Sequence, residues 1–460
     1  MIKANLSNIA AFLNAELIGS DLAVDKVFTD SRQNCPGGVF VALKGPNFDA
    51  HQFIEQAIEQ GAVAVIVEHP VTEPVSQIVV KDCKQALGDL ARFNRNNLKA
   101  RFAAITGSSG KTTVKEMLAA ILQNIGATYA TRGNLNNDIG APITLLEMNQ
   151  QHQFGVIELG ANRAGEIAYT ASITKPDVAV INNISPAHIE GFGDLNGVAR
   201  AKSEIYSALG SSGIAIVNQD DHFASFLKKN IDCNLLTFGI HQNADVMAEN
   251  IRLNYELCPQ FELVFEGNRQ TVRLPLIGEH NVYNALAAAA CAIGLGIQLQ
   301  DIATGLAQTQ MVQGRLNVFH SDNEVTVIDD SYNANLESMK AAIRLLANYP
   351  GHKILVIGDM AELGDLKEQC HEEIGLAANE ANISQLYSIG ELTMLTHNVF
   401  KGDKYHFNHQ QDLIQQLKQE ANPGVTILVK GSRSMQMEKV VLALKEQFEL
   451  QSFASNKEGQ

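Results

Sequence analysis

The sequence predicts an α/β protein of three domains: a small N-terminal α/β domain, a central phosphate-loop domain on a mostly parallel sheet, and a C-terminal α/β domain. Three observations predict it. The 460 residues exceed what one hydrophobic core usually serves. Buried-strand runs alternate with helix-period segments through most of the chain. A glycine-rich GSSGKTT stands between an apolar strand and a helix near residue 107.

From about residue 20 to 80, the β-like runs VFVAL (39 to 43) and AVAVIVE (62 to 68) flank a helix-like HQFIEQAIEQG, which gives the first domain, 1–82. At Phe102 the strand FAAIT leads into GSSGKTT and the helical TVKEMLAAILQNIG, opening a central domain, 83–312. Further strands are predicted in FGVIELG, DVAVINNIS and GIAIVN. Residues 244 to 277 break the parallel rhythm with antiparallel-looking strands, and Asn281 to Leu295 reads as a packed Ala-rich helix. After QGRLN the rhythm restarts over 313–460: VTVIDDSYNAN, a helix to about Ala347, KILVIGDMAELG, another helix, QLYSIG and TILVKGSRSMQMEKVVLAL. In open α/β sheets ligands bind at the carboxyl ends of strands, so the polar and glycine-rich sequence there is where chemistry is sought.

Composition narrows the function. With 45% hydrophobic and 18% charged residues, the chain is an ordinary globular sequence. A net charge of -15 opposes general binding to nucleic acid or to anionic membranes, while leaving small anions accessible through local basic sites. The six cysteines lack CxxC spacing and read as free thiols of a reducing compartment. The N-terminus has no export pattern, and the longest apolar stretch, Ala285 to Ile297, is too short to span a bilayer, so a cytoplasmic protein without membrane insertion is expected.

Gly107, Ser108, Ser109, Gly110, Lys111, Thr112 and Thr113 form the strongest local signal. Glycines let backbone approach phosphates, and the following helix N-terminus offers aligned N–H groups. Lys111 would reach the β and γ phosphates of ATP, and Thr112 would ligate Mg²⁺. Ile105 stands where the general phosphate-loop pattern has its first glycine. Glu158 closes an apolar strand and suits a hard cation, although a surface-turn glutamate reads almost the same. His188 follows another strand end and could ligate a metal, although a loop histidine is more often solvent-exposed. Lys202, at what reads as the start of a helix, has the pattern of a solvated lysine. Asn281, Arg315, Asp330, Tyr332, Asn333, Lys430 and Arg433 lie at strand ends or junctions, each a weak signal by itself.

Taken in order, TGSSGKTTVKE, ELGANRAGEI, NISPAHIEGFG, AKSEIY, GEHNVYNALAA, GRLN, DDSYNANLESM, VIGDMAELG and VKGSRSMQME resemble the Mur ligase family across nearly the whole chain. That family's short phosphate loop matches Thr106 to Thr112, which removes the objection of Ile105. The resemblance implies a Rossmann-like C-terminal domain and an ATP-dependent amide ligase acting in peptidoglycan synthesis. TDSRQNCPGGVFVALKG, with Asp49 and His51, looks like the family's uridine-diphosphate-binding domain and places Ser31, Arg32, Lys44 and Gly45 near the UDP-sugar. The resemblance also implies a carbamylated Lys202, two Mg²⁺ ions held by Thr112, Glu158, His188 and Lys202, and an ATP site walled by Asn281, Arg315, Asp330, Tyr332 and Asn333. The implied catalytic residues are Lys111, Lys202, His188 and Glu158.

Within that resemblance, GDMAELG and DDSYNANLESM look like the branch that joins D-alanyl-D-alanine to UDP-MurNAc-tripeptide, and the absence of Asp-Asn-Pro-Arg favours it; the resemblance implies an acyl phosphate intermediate, and a monomer is expected. The nearest alternative adds a free diamino acid. A phosphate-loop NTPase switch, which makes no bond, and a non-catalytic nucleotide-binding module are alternatives of other classes.

Overall fold

A computed structural model describes residues 1–187, 189–229, 231–322, 324–420, 422–448 and 451–452. Three main sheets organise the chain. The first has five strands in the order Glu16–Ile18, Ser76–Val79, Ala62–Val67, Gly38–Val41 and Val27–Phe28, with only the first strand antiparallel to its neighbour.

The second sheet has nine strands, of which Thr128–Ala130, Phe154–Glu158, Arg101–Thr106, Val178–Ile181, Ile214–Asn218, Asn234–Gly239 and Val246–Leu253 run parallel. Pro259–Phe265 and Asn268–Arg273 complete it as an antiparallel meander. The edge strand Thr128–Ala130 and the strand Asn234–Gly239 are additional to those read in the sequence; their half-exposed, short or polar runs lack the apolar continuity that marks a central strand.

The third sheet runs Asp403–Phe407, Gln385–Ile389, His352–Gly358, Val425–Lys430, Thr326–Asp330, Asn317–His320 and Gln451–Ser452, with every pairing parallel except the last two, in which Asn317–His320 is antiparallel to both neighbours.

Strand Arg101–Thr106 lies between Phe154–Glu158 and Val178–Ile181, so chain connections depart on both of its sides. Its carboxyl end is therefore a crevice at a topological switch point. The strand is buried along Phe102–Thr106 because helices cover both faces of the sheet. On one face the helices Lys111–Gln123 and His280–Gly294 contribute Val114, Met117, Leu118, Ile121 and the alanines 285 and 287–290 to one apolar core. On the other face a second core runs from Leu6 and Leu87 through Phe102 and Ile157 to Val198, tying the N-terminal segment and the helix Cys83–Asn96 to the central sheet. Among the described residues, no helix is long and apolar enough to cross a membrane.

Candidate active site

The phosphate-loop segment leaves Thr106 and enters the helix Lys111–Gln123 through Gly110, whose φ of 77° is left-handed. Glycine is required there twice over. An L side chain disfavours that backbone, and a Cβ would overlap Asn284 Oδ1 and Asn182 Nδ2. Around the loop runs a closed amide network. Ser108 N donates to Asn183 O at 3.0 Å, and Ser109 N to Asn183 Oδ1 at 2.9 Å. The Ser108 hydroxyl donates to Ser185 O at 2.9 Å. Asn182 Nδ2 donates to Ser109 O at 3.0 Å and to Asn284 Oδ1 at 2.9 Å, and Asn284 Nδ2 to Asn281 Oδ1 at 2.8 Å. The loop shape is thus set by buried partners before any ligand arrives.

Lys111 Nζ donates to Gly107 O at 2.8 Å, folding the side chain back over the loop. Burial lowers its pKa, Glu158 works against that, Arg315 adds to it, and Glu362 again opposes it. Glu158 belongs to the central segment and Arg315 and Glu362 to the C-terminal one, which also reaches the loop through Asn335 Nδ2 on Ser108 O at 3.5 Å. Thr112 and Thr113 stand half-buried in the first helical turn.

Glu158 ends strand Phe154–Glu158 and is 2% exposed. Its Oε1 accepts a 2.7 Å bond from Asn136 Nδ2, while Oε2 is buried with no hydrogen-bond partner. A buried carboxylate oxygen in that state lacks a compensating donor or cation. Among the described residues, no group of three His, Cys, Asp or Glu side chains converges as a ready metal cage. His188, another of the expected metal ligands, lies outside the described residues.

Lys202 differs from the solvated reading. It lies in the last turn of helix Leu195–Ser203 rather than at a helix start, and is 1% exposed. Desolvation, with the Lys111 charge adding to it, pushes its pKa well below the ordinary lysine value. Among the described residues its ammonium has no recorded hydrogen bond or ion pair.

On the C-terminal side, Arg315 stacks on Tyr332 at 4.4 Å, and Arg433 approaches the same ring at 5.9 Å. Tyr332 N donates to Gly314 O at 3.1 Å, which fixes the two segments together. Asp330 forms a buried 2.5 Å ion pair with Lys430, whose Nζ also donates to Asn333 O at 3.0 Å. Burial lowers the Lys430 pKa while Asp330 pulls it upward. Asn335 caps helix Leu336–Ala347 and sends Nδ2 to Ser108 O at 3.5 Å.

The expected sugar-nucleotide residues group apart, on the N-terminal sheet and its hairpin. Ser31 Oγ donates to Gln56 Oε1 at 2.9 Å. Arg32 is 79% exposed and pairs with Asp30 at 2.8 Å. Lys44 and Gly45 form an exposed strand against Phe48–Asp49, with Lys44 opposite Asp49. His51 Nδ1 bonds Asp49 Oδ1 at 2.6 Å, and its Nε2 accepts from Glu68 N at 3.0 Å. Both ring nitrogens are therefore engaged within the protein, and His51 orients Asp49.

The structure thus gathers the phosphate loop, Glu158, Lys202, Asn281, Arg315, Asp330, Tyr332 and Asn333 about the junction of two sheets, and leaves the N-terminal group as a separate surface. Four asparagines of the central segment escaped the sequence reading: Asn136, Asn182, Asn183 and Asn284. Asn284 was signalled by its i,i+3 spacing from Asn281 on an Ala-rich helix, where two amides on one buried face require partners.

Family profiles match three stretches of the chain: "Mur ligase family, catalytic domain" over 23–95, "Mur ligase middle domain" over 105–292, and "Mur ligase, glutamate ligase domain" over 314–433. The chain is 46% identical to the UDP-N-acetylmuramoyl-tripeptide--D-alanyl-D-alanine ligase of Escherichia coli K12, covering 97% of this chain and 99% of that one. A MurF crystal structure from Acinetobacter baumannii superposes with a TM-score of 0.91 at 38% identity, covering 96% and 99% of the two chains. MurF ligase from Thermotoga maritima in complex with ADP superposes with a TM-score of 0.83 at 30% identity, covering 93% and 98%.

Proposed function

The chain belongs to the Mur ligase family, and from that premise we propose that it uses ATP to join D-alanyl-D-alanine to UDP-MurNAc-tripeptide. The observation that carries the catalytic reading is that the half-partnered, buried Glu158 ends the strand paired beside the phosphate loop while Asn335 of the C-terminal segment reaches Ser108 O of that loop. In the reaction we infer, the tripeptide's terminal carboxylate attacks the γ phosphorus of ATP, giving an acyl phosphate and ADP. The dipeptide amine then attacks the acyl carbon, loses a proton, and inorganic phosphate departs with the C–O bonding pair.

The first step brings two anions together, so catalysis here is chiefly positioning and charge stabilisation. Lys111 and the loop amides Gly107 to Thr113 hold the phosphates. Asn281, Arg315, Asp330, Tyr332 and Asn333 wall the nucleotide, with Lys430 keeping Asp330 in place. The unpartnered Glu158 Oε2 fits a hard cation, and Thr112, Glu158, His188 and a carbamylated Lys202 would hold two Mg²⁺ ions. Bound there, Mg²⁺ supplies neutralisation of phosphate charge. The depressed pKa of Lys202 supports the carbamate, because the neutral amine is the form that adds to CO₂, releasing one proton. Ser31, Arg32, Lys44, Gly45, Asp49 and His51 are assigned to the UDP-sugar, with His51 acting through Asp49. The domain limits 1–82, 83–312 and 313–460, a monomeric state, a cytoplasmic location and a part in cell-wall growth complete this reading.

A ligase and a nucleotide switch part at one measurement. Phosphate release from ATP is expected to require UDP-MurNAc-tripeptide and D-alanyl-D-alanine together for steady turnover. Equal turnover with neither present would establish the switch instead.

A further inference from the structure

Between strand His352–Gly358 and helix Lys367–Glu380, residues 359–366 reach out from the C-terminal sheet to touch the short helix Ile189–Phe192 of the central segment. Glu190 N, on the short helix Ile189–Phe192, donates to Glu362 O at 3.4 Å. Gly364 lies against the same turn: a Cβ there would stand 3.4 Å from Glu190 N and 3.5 Å from Ile189 Cγ2, on a backbone with φ of 54°. Leu366 packs against the core that contains Ile189 and Val198. Met360 and Leu363 anchor the segment in the C-terminal core. Asp359 fixes its start, accepting from Thr393 N at 2.8 Å and, through its backbone oxygen, from Ser432 N at 3.0 Å.

One buried side chain braces this segment. His371, 1% exposed on helix Lys367–Glu380, accepts a bond from Met360 N on Nε2 at 3.0 Å, and its Nδ1 bonds Lys367 O at 2.6 Å. An N–H donor on one nitrogen and a carbonyl on the other fix the neutral tautomer with hydrogen on Nδ1. The ring therefore ties the helix's first turn to that segment.

We propose that His371 is a positioning residue for ligation: it braces residues 359–366 as a clasp that holds the C-terminal domain closed over the phosphate loop. The clasp carries Glu362, whose charge acts on Lys111. Its contacts with residues 189 and 190 directly follow the segment that contributes Asn182 and Ser185 to the loop network. A clasp that slackens shifts two halves of one active site relative to each other, and displacements of about 1 Å in such sites cost on the order of 10²-fold in rate.

The test rests on the ligase reading and uses the full chain with ATP, UDP-MurNAc-tripeptide and D-alanyl-D-alanine. His371→Leu removes both bonds, and kcat is expected to fall about 10- to 100-fold while KM for the UDP-tripeptide rises with it. His371→Gln, whose amide can accept from Met360 N and donate to Lys367 O, is expected to recover most of the loss. Gly364→Val disrupts the far end of the clasp. Combined with His371→Leu it is expected to add little to the larger single loss. A lowered unfolding temperature in a folded variant whose kcat and KM are unchanged, or losses that multiply in the double variant, would make His371 a stability residue only. Should His371→Leu not fold, His371→Asn, too short to span both bonds, takes its place with the same expectations. Failure of the unmodified chain to ligate would instead overturn the ligase reading.

Discussion

Lys111→Ala is expected to lose about 10²- to 10³-fold or more in ligation rate while remaining folded. The side chain's hydrogen bond goes to Gly107 O, so removing it costs one part-buried contact of about 1 kcal/mol in stability. The loop itself is held by Asn182, Asn183 and Asn284, none of which depends on Lys111. Structure and catalysis therefore separate at this residue. The consequence for rate is large because the ammonium is already desolvated and fixed before phosphate charge redistributes. The check is steady-state ligation alongside thermal unfolding: near-normal turnover in a folded Lys111→Ala protein would remove this loop from the reaction.

Lys202→Ala should be inactive to a similar degree, and small carboxylates such as acetate or formate should restore part of the activity. A lysine that is 1% exposed, with no recorded partner among the described residues and with the Lys111 charge acting against it, is poorly placed as an ammonium. Conversion to a carbamate replaces a repelled cation by an oxygen anion, reversing the sign of the interaction with Lys111 and providing a metal ligand. Incorporation of isotope-labelled CO₂ into the folded protein, absent from the Lys202→Ala variant, gives a reading independent of turnover. Full activity of Lys202→Ala in CO₂-depleted buffer would contradict the assignment.

Much of the fold was legible because parallel strands buried on both faces read as unbroken apolar runs, as in FAAIT and VAVI, each ending in polar sequence. The short strand Thr128–Ala130 was not, since three half-buried residues carry no period. The phosphate loop was legible from local chemistry alone. Lys202 was not: AKSEIY looks solvated until the packing of helix Leu195–Ser203 against Ile167 and Ile205 is known, and burial is a property of tertiary structure. Asn136 and His371 belong to the same class. Their significance lies in whom they bond, Glu158 from 22 residues away and Met360 from 11, and no periodicity encodes such a pairing. At the N-terminal domain, Asp49 and His51 were singled out together, but the division of labour between them emerged only when both imidazole nitrogens were seen to be occupied.

The central claim is that this site makes one particular amide bond. Mass spectrometry of products after mixing the chain with ATP, Mg²⁺ and candidate substrates tests it most directly. The expected product is UDP-MurNAc-pentapeptide from UDP-MurNAc-tripeptide and D-alanyl-D-alanine, with little product from UDP-MurNAc-dipeptide and diaminopimelate or lysine. Efficient joining of a free diamino acid to the dipeptide substrate, with D-alanyl-D-alanine ignored, would contradict it.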